Sequence, residues 1–333
     1  MAETLNRISL LIVTWNGDEL LRDCLQSVVD VYGTLPETIV VDNAALKSTE
    51  AIVDAFPNTK YVPLPENKGF AGGNNAGLPH CTKEYIILLN NDTRLVKDSI
   101  SPLVDFLDAH PNAAAAQGTV VLASSGKLDG CGGFLSPLGV LVFRGAFSTE
   151  FDRYTKPERV YTIGGAFFAM RRDAIAKVGG LFHDHFKSYY EEIDLCCRIC
   201  IAGMESWYVP TEKVLHRHSA TTAKFKWSSI QRQYYRNIKF SIKTCFGLYG
   251  RMRLGSILFL LSLAQSLAGL IRGDPTQFRS HLHAFMQIRR DRKIIKETRK
   301  RINALRKLSD IQVLRLAIQR QPWSYYIKLL KTA

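Results

Sequence analysis

Apolar and polar positions in the N-terminal part of the chain switch between two periods. Ile8 to Thr14 is a continuous apolar, β-branched run, the pattern of a strand buried on both faces. Leu20, Leu21, Cys24, Leu25, Val28 and Val29 then recur with helical spacing. Thr38 to Asp42 predicts a second strand, and a helix beginning at Ser48 or Thr49 ends before Pro57. Lys60 to Leu64 and Tyr85 to Asn90 predict further strands, and Asp98 is placed to cap a helix from about Ser99 to Ala109. Strands alternating with helices predict an α/β fold with a mostly parallel sheet covered by helices on both faces.

The middle, from about Gly118 to Arg159, is rich in glycine and weakly periodic, which predicts loops and short strands. Thr162 to Arg171 predicts a strand containing Gly164-Gly165, and Glu191 to Ala202 a helix that Gly203 terminates. Beyond about Ala223 the pattern changes to long helices dense in Lys and Arg. Two regions are therefore expected: residues 1–223, an α/β body, and residues 224–333, a basic helical region.

Charge sharpens that division. The 333 residues carry a net charge of +14, but Lys224 to Ala333 holds 24 Lys and Arg against 4 Asp and Glu, while the preceding residues hold 20 against 26. A mildly acidic body with a basic tail suits a polyanion or an anionic membrane surface. The tail lacks the motifs and interleaved aromatics of a nucleic-acid binder. Leu254 to Ile271 is uncharged for 18 residues, the lower limit for a spanning helix, and predicts a helix lying in a membrane interface or packed on the body. Gln287 to Leu308 predicts one strongly basic helix with Ile288, Ile294, Ile295, Ile302, Leu305 and Leu308 available for an apolar face. No signal peptide is visible near Met1, and the seven cysteines form no CxxC pair, so a cytoplasmic body with reduced core thiols is expected.

In a sheet of this kind ligands bind past the carboxyl ends of the strands. The polar residues there are Thr14, Trp15 and Asn16, then Asp42 and Asn43, then Asn90, Asn91 and Asp92. Asp42 can accept the imide N–H of a pyrimidine base, or simply cap the next turn. Asn67 to Gly77, NKGFAGGNNAG, has too many glycines and asparagines for a regular element interior and reads as a loop that lets a diphosphate or sugar approach the backbone, or as a tight turn ahead of a helix. Asp92 can hold a hard divalent cation against phosphate oxygens, or serve as a turn residue. Glu191, Glu192 and Asp194 crowd three acids at a helix start, where one could remove a proton from a hydroxyl or all three could favour the helix dipole. His216 and His218 are candidate metal ligands or surface histidines.

Read in order, LLIVTWN, IVVDN, NKGFAGGNNAG, YIILLNND, TIGGAFFAMRRDAIAKVGGL, YYEEIDLCCRICIAG and VLHRHSAT resemble the inverting glycosyltransferases of family 2, over roughly residues 7 to 222. The Asn-Gly stretch is most similar to the rhamnosyltransferase and galactofuranosyltransferase branch. The resemblance implies a GT-A fold, which is Rossmann-like, and a nucleotide-sugar donor carrying a deoxythymidine or uridine diphosphate. It also implies a Mn2+ or Mg2+ ion and a glycan or lipid-linked acceptor in cell-surface polysaccharide assembly. The basic tail, outside the resemblance, would keep such an enzyme peripheral on the inner face of the membrane, where a lipid-linked acceptor stays. Asp42 would then contact the base, with Thr14, Asn16, Asn67, Gly69, Asn74, Asn90 and Asn91 around the donor. Asp92 and His216 would hold the metal, and Glu192, or Asp194, would be the base. The chain departs from the family pattern at Asn90, where the first DxD acid stands, at Glu192 in place of Asp, and in AALKST, which lacks the usual Ser and second Asp. Those departures leave a non-catalytic scaffold of the same fold as the alternative.

Overall fold

A computed structural model describes residues 2–45, 47–217 and 227–320. A short helix α1 (Ala2–Asn6) leads into β1 (Ile8–Thr14), α2 (Asp18–Tyr32), β2 (Glu37–Asp42), α3 (Lys47–Asp54), β3 (Thr59–Pro63), α4 (Gly69–Gly77) and β4 (Tyr85–Leu89). Then come β5 (Thr93–Leu95), α5 (Ser101–Ala109), β6 (Ala113–Gln117) and five short strands, β7 (Val120–Leu122), β8 (Leu128–Gly130), β9 (Gly133–Leu135), β10 (Leu141–Phe143) and β11 (Glu158–Val160). The body closes with β12 (Phe167–Arg171), α6 (Arg172–Lys177), α7 (Glu191–Ile201), β13 (Glu205–Tyr208) and β14 (Val214–His216). Five helices follow: α8 (Trp227–Cys245), α9 (Leu248–Ile271), α10 (Thr276–Arg290), α11 (Arg292–Leu305) and α12 (Asp310–Ala317).

The main sheet has eight strands in the order β11-β13-β6-β12-β4-β1-β2-β3. β4, β1, β2 and β3 are mutually parallel, and β12 enters antiparallel between β4 and β6, so the sheet is mixed. A second sheet, β5-β14-β7-β8, stands beside the carboxyl ends of the first strands because β5 follows directly from β4.

The continuous apolar runs are explained by burial on two faces. On β1, Ile8, Leu10 and Ile12 face the core beneath α2 and α5, while Leu11 faces the core beneath α4 and α7; Val40 of β2 and Ile39 and Val41 divide in the same way. The second core also takes in Ile238, Phe240, Ile242, Ile288, Ile295 and Ile302, so helices α8, α10 and α11 share it with the body.

Three expectations are corrected. The Asn-Gly stretch is not a loop: residues 69–77 form α4. Its glycines serve packing, since a methyl at Gly73 would stand 2.6 Å from Val13 Cγ1 and one at Gly77 2.6 Å from Val41 Cγ2, so the helix lies close on the sheet. The basic stretch 287–308 is not one helix: it breaks between Arg290 and Arg292, and Ile288, Ile295 and Ile302 are buried against the body. The predicted strand 162–171 shortens to Phe167–Arg171, with Thr162 bridged instead to Gly133.

Gly69 begins α4 at φ +76°, and a methyl there would overlap the Lys187 carbonyl oxygen. Gly69→Ala combines left-handed strain with a backbone clash and should cost about 2–4 kcal/mol in urea unfolding, whereas Gly126→Ala, left-handed but in open space, should cost about 1 kcal/mol.

Candidate active site

Parallel strands β1, β2 and β4 end side by side, and their last residues are locked together. Asn43 N–H donates to the Thr14 carbonyl (2.9 Å), and the Asn91 amide donates to Thr14 Oγ1 (2.9 Å). Gly17 leaves room for that amide, since a methyl there would stand 2.7 Å from Asn91 Nδ2. Asn16, exposed at the mouth, adopts the left-handed region at φ +50°, which asparagine tolerates. Asp42 is fully buried, accepting from Tyr61 Oη (2.9 Å) and from Ala44 N–H (3.3 Å).

Asparagines fasten α4 to this edge. Asn43 Nδ2 donates to Asn67 Oδ1 (3.2 Å) and to the Gly69 carbonyl (3.0 Å), and Asn43 Oδ1 accepts from Lys68 N–H (2.8 Å). Asn67 Oδ1 also accepts from Gly69 N–H (2.7 Å), and buried Asn74 donates to the Phe70 carbonyl (2.8 Å). Asn67 and Gly69 thus form the helix start that backs the strand ends, and Asn74 is a buried position one turn further along it.

A polar line runs through the second sheet. His216 Nε2 lies 3.3 Å from Asp92 Oδ1, and Nδ1 lies 2.7 Å from Asp129 Oδ2. Burial opposes protonation of this imidazole, but the hydrogen bonds and charges of Asp129 and Asp92 outweigh it and carry the pKa up to about 9. Among the described residues no group of three His, Cys, Asp or Glu side chains is arranged to hold a metal ion. Asp92 and His216 nonetheless fit a cation that takes its remaining ligands from a diphosphate and water, because the second nitrogen of His216 is held by a carboxylate in the manner of metal-bound histidines. His218 lies outside the described residues, as does the expected boundary at 223.

The acids of α7 separate by environment. Asp194 is buried, with Oδ2 on Arg198 Nε (2.9 Å) and Oδ1 accepting from Cys245 Sγ (3.5 Å), so it is a core group already paired with a cation. Glu191 is buried too, and burial and the neighbouring Glu192 push its carboxyl well above the usual range. Glu192 is half-buried, and desolvation raises it to about 7. Its carboxylate occupies the space over Gly165, where any side chain would collide with Oε1. The next residue, Ala166, accepts from Asn90 N–H (2.9 Å), so Glu192 stands beside the Asn90-Asn91-Asp92 turn.

Several residues that hold this geometry were not legible as such. Asp129 sits in LDG, which reads as a turn. Gln117, buried, donates to the Gly130 carbonyl (2.6 Å) and accepts from Gly164 N–H (2.7 Å), tying the strand of Asp129 to the glycines under Glu192. Asn237 of α8 donates to the Ser188 and Tyr189 carbonyls (3.1 and 2.7 Å), just ahead of α7.

A mixed sheet with this strand order, polar strand ends and an acid over a glycine pair fit a glycosyltransferase-type α/β fold, and the comparisons agree. The family model "Glycosyl transferase family 2" matches residues 9–179, just over half of the chain, and the chain belongs to that family: it is a glycosyltransferase of the GT-A fold. N-acetylglucosaminyl-diphospho-decaprenol L-rhamnosyltransferase of Mycobacterium tuberculosis is 28% identical over 241 residues, covering 65% of this chain and 78% of that protein. Poly-beta-1,6-N-acetyl-D-glucosamine synthase of Staphylococcus epidermidis is 22% identical, covering 52% of this chain and 41% of its own length. Among solved structures, residues 1–349 of S. aureus TarS superpose with a TM-score of 0.55 at 15% identity, covering 90% of this chain and 83% of that one. GalNAc-T7, solved with UDP, GalNAc and Mn2+, gives 0.58 at 17% identity, covering 73% and 48%.

In metal-free protein the His216 ring should titrate near 9 by NMR, and Asp129→Asn should move it down toward 6.5. Its folded pKa lies above the unfolded value, so the stability its ion pairs contribute is complete below pH 6.5 and lost as pH rises through about 9. A wild-type unfolding free energy that does not fall over that window relative to Asp129→Asn would contradict the pairing.

Proposed function

We propose that this enzyme transfers a sugar, with rhamnose the first candidate, from a pyrimidine nucleoside diphosphate to a hydroxyl of a glycan or lipid-linked acceptor. The setting is cell-surface polysaccharide assembly at the inner face of the membrane. The sugar and the lipid-linked acceptor rest on the mycobacterial relative, whose name specifies a rhamnosyltransferase acting on N-acetylglucosaminyl-diphospho-decaprenol. Deoxythymidine diphosphate is the first candidate carrier and uridine diphosphate the nearest competitor.

The observation that carries the reading is the placement of Glu192 over Gly165, beside the turn bearing Asp92. In the proposed reaction Glu192 takes the proton of the acceptor hydroxyl, whose oxygen forms the new bond to the anomeric carbon while the bond to the diphosphate oxygen breaks. Attack opposite the leaving group inverts the configuration. A pKa near 7 suits this role, since a substantial share of the carboxylate is ionised at neutral pH and it is basic enough to hold the proton. Asp92 and His216 would hold Mn2+ or Mg2+, and GalNAc-T7 and the Pyrobaculum calidifontis mannosyltransferase PcManGT were both solved with Mn2+. A bound cation would supply positive charge against the leaving diphosphate. Thr14, Asn16, Asp42, Asn90 and Asn91 supply the strand-end surface for the nucleotide, where Asp42 would have to exchange a present partner to receive a base.

Glu192→Gln should keep nucleoside diphosphate binding and lose about 10²–10⁴-fold in turnover. The wild-type rate should fall as pH drops through about 7, because protonation removes the base. Near-normal turnover in Glu192→Gln would remove the assignment. Calorimetry of deoxythymidine and uridine diphosphate with and without Mn2+ tests the donor site, and Asp92→Ala should abolish the metal-dependent part.

A further inference from the structure

Helix α9 is built inside out. Its 24 residues reach a mean hydropathy of 2.0 over an 18-residue stretch, yet only 17% of that stretch is buried. The buried positions of α9 are Gly250, Leu254, Ser266 and Gly269, three of them small or polar, whereas Phe259 is 67% exposed, Leu260 62% and Ile271 85%. A soluble helix does the reverse, because burying large apolar side chains is what stabilises it.

Helix α10 continues this surface. It runs antiparallel to α9, with His281 Nε2 3.1 Å from Gln265 Oε1 and Gly269 packed against Asp274 and Gln277. Phe278, Leu282, Phe285 and Met286, spaced i, i+4, i+7 and i+8, are all at least 44% exposed. Of 19 exposed large apolar side chains among the described residues, 13 belong to α9 and α10. Such a concentration marks an interaction site.

Charge selects the occupant. From Leu248 to Arg290 there are six arginines and one acid, Asp274. Helix α11 adds exposed Arg292, Lys293, Lys296, Lys300 and Arg301 beside them. Two copies of this chain meeting face to face would bring like charges together, whereas anionic headgroups would meet the arginines while acyl chains met the apolar residues. A span across the bilayer is disfavoured by the pairing of the helices: α10 lies along α9 and would carry Arg279, His281 and His283 into hydrocarbon.

We propose that the exposed faces of α9 and α10 form the surface that docks this protein on an anionic phospholipid bilayer, with both helices lying in the interface plane. This deepens the membrane part of the function proposed above and rests on that part alone, since the transfer chemistry does not enter it. It takes the membrane-interface reading of 254–271, extends it over residues 248–286, and removes the apolar contact from the 287–308 stretch, where Ile288, Ile295 and Ile302 are buried.

Flotation of the full-length protein with phosphatidylglycerol-containing vesicles and with pure phosphatidylcholine vesicles tests it. The wild type should float with the anionic vesicles, bind neutral ones at least 10-fold more weakly, and be released by alkaline carbonate. A Phe259→Glu, Leu263→Glu, Leu267→Glu variant alters only exposed side chains and should lose anionic-vesicle binding at least 10-fold. Its binding of nucleoside diphosphate should match the wild type, which shows that the body is folded and keeps the docking result separate from the donor-site result. Equal binding by wild type and variant would overturn the proposal. So would retention of the wild type after carbonate, which indicates a span, or a wild-type dimer made monomeric by the triple substitution without vesicle binding, which indicates a second copy.

Discussion

Tyr189 and Tyr190 adopt the left-handed backbone region in succession, at φ +71° and +80°, immediately before Glu191 and Glu192. Neither is glycine, and each such residue costs on the order of 1–3 kcal/mol, so the turn persists only because its surroundings hold it. They do so from both sides. The Lys187 carbonyl accepts from Ala71 N–H (3.1 Å) and Ser188 Oγ from Phe70 N–H (3.3 Å), both at the start of α4, while Asn237 of α8, 1% exposed, donates to the two carbonyls that follow. Arg236 adds a bond to the His185 carbonyl (2.6 Å) and an ion pair with Asp291 (2.9 Å) at the junction of α10 and α11. The direction of Glu192 is therefore set jointly by the N-terminal sheet layer and the C-terminal helices.

That arrangement explains why neighbouring acids differ in character. Asp194, one turn into α7, is neutralised by Arg198, whose other nitrogens donate to the carbonyls of Val178, Gly180 and Leu181; the pair is a structural rivet. Among the described residues no cation pairs with Glu192, which sits over bare glycine backbone, so desolvation dominates and raises its pKa. In the second sheet the balance is reversed. His216 lies between two carboxylates, and their hydrogen bonds overcome its burial. In the proposed reaction the raised acid would take the proton at one end of the displacement, and the carboxylate-flanked imidazole would help hold the charge that stabilises the other.

The C-terminal helices serve two environments. Helices α8 and α11 turn Ile238, Phe240, Ile295 and Ile302 into the body's own core, and α12 is fixed by a capping box at Ser309 and Gln312. Helix α9 buries small residues and leaves its large ones outside. Because α8 both clamps the turn before Glu192 and packs against α10, the outward-facing apolar surface and the site belong to one continuous framework.

The sequence by itself determined the alternation of strands and helices, the strand-end placement of Thr14, Asp42 and Asp92, the acids opening α7 and the resemblance that led to the family. These are properties of local periodicity and of residue order, and both survive without coordinates. It did not determine that GFAGGNNAG is a helix, because only close packing on Val13 and Val41 gives its glycines a reason to be there. Nor could it show that Glu192 and Asp194 have different surroundings, since those depend on Arg198, a turn away, and on Gly165, in the turn before β12. Asp129, Gln117 and Asn237 were invisible for the same reason: each acts on a partner 13 to 87 residues distant, through contacts that exist only once the sheets are assembled. The tertiary structure also decided which apolar residues of the basic region face inward, because periodicity shows that a helix has a face but not what covers it.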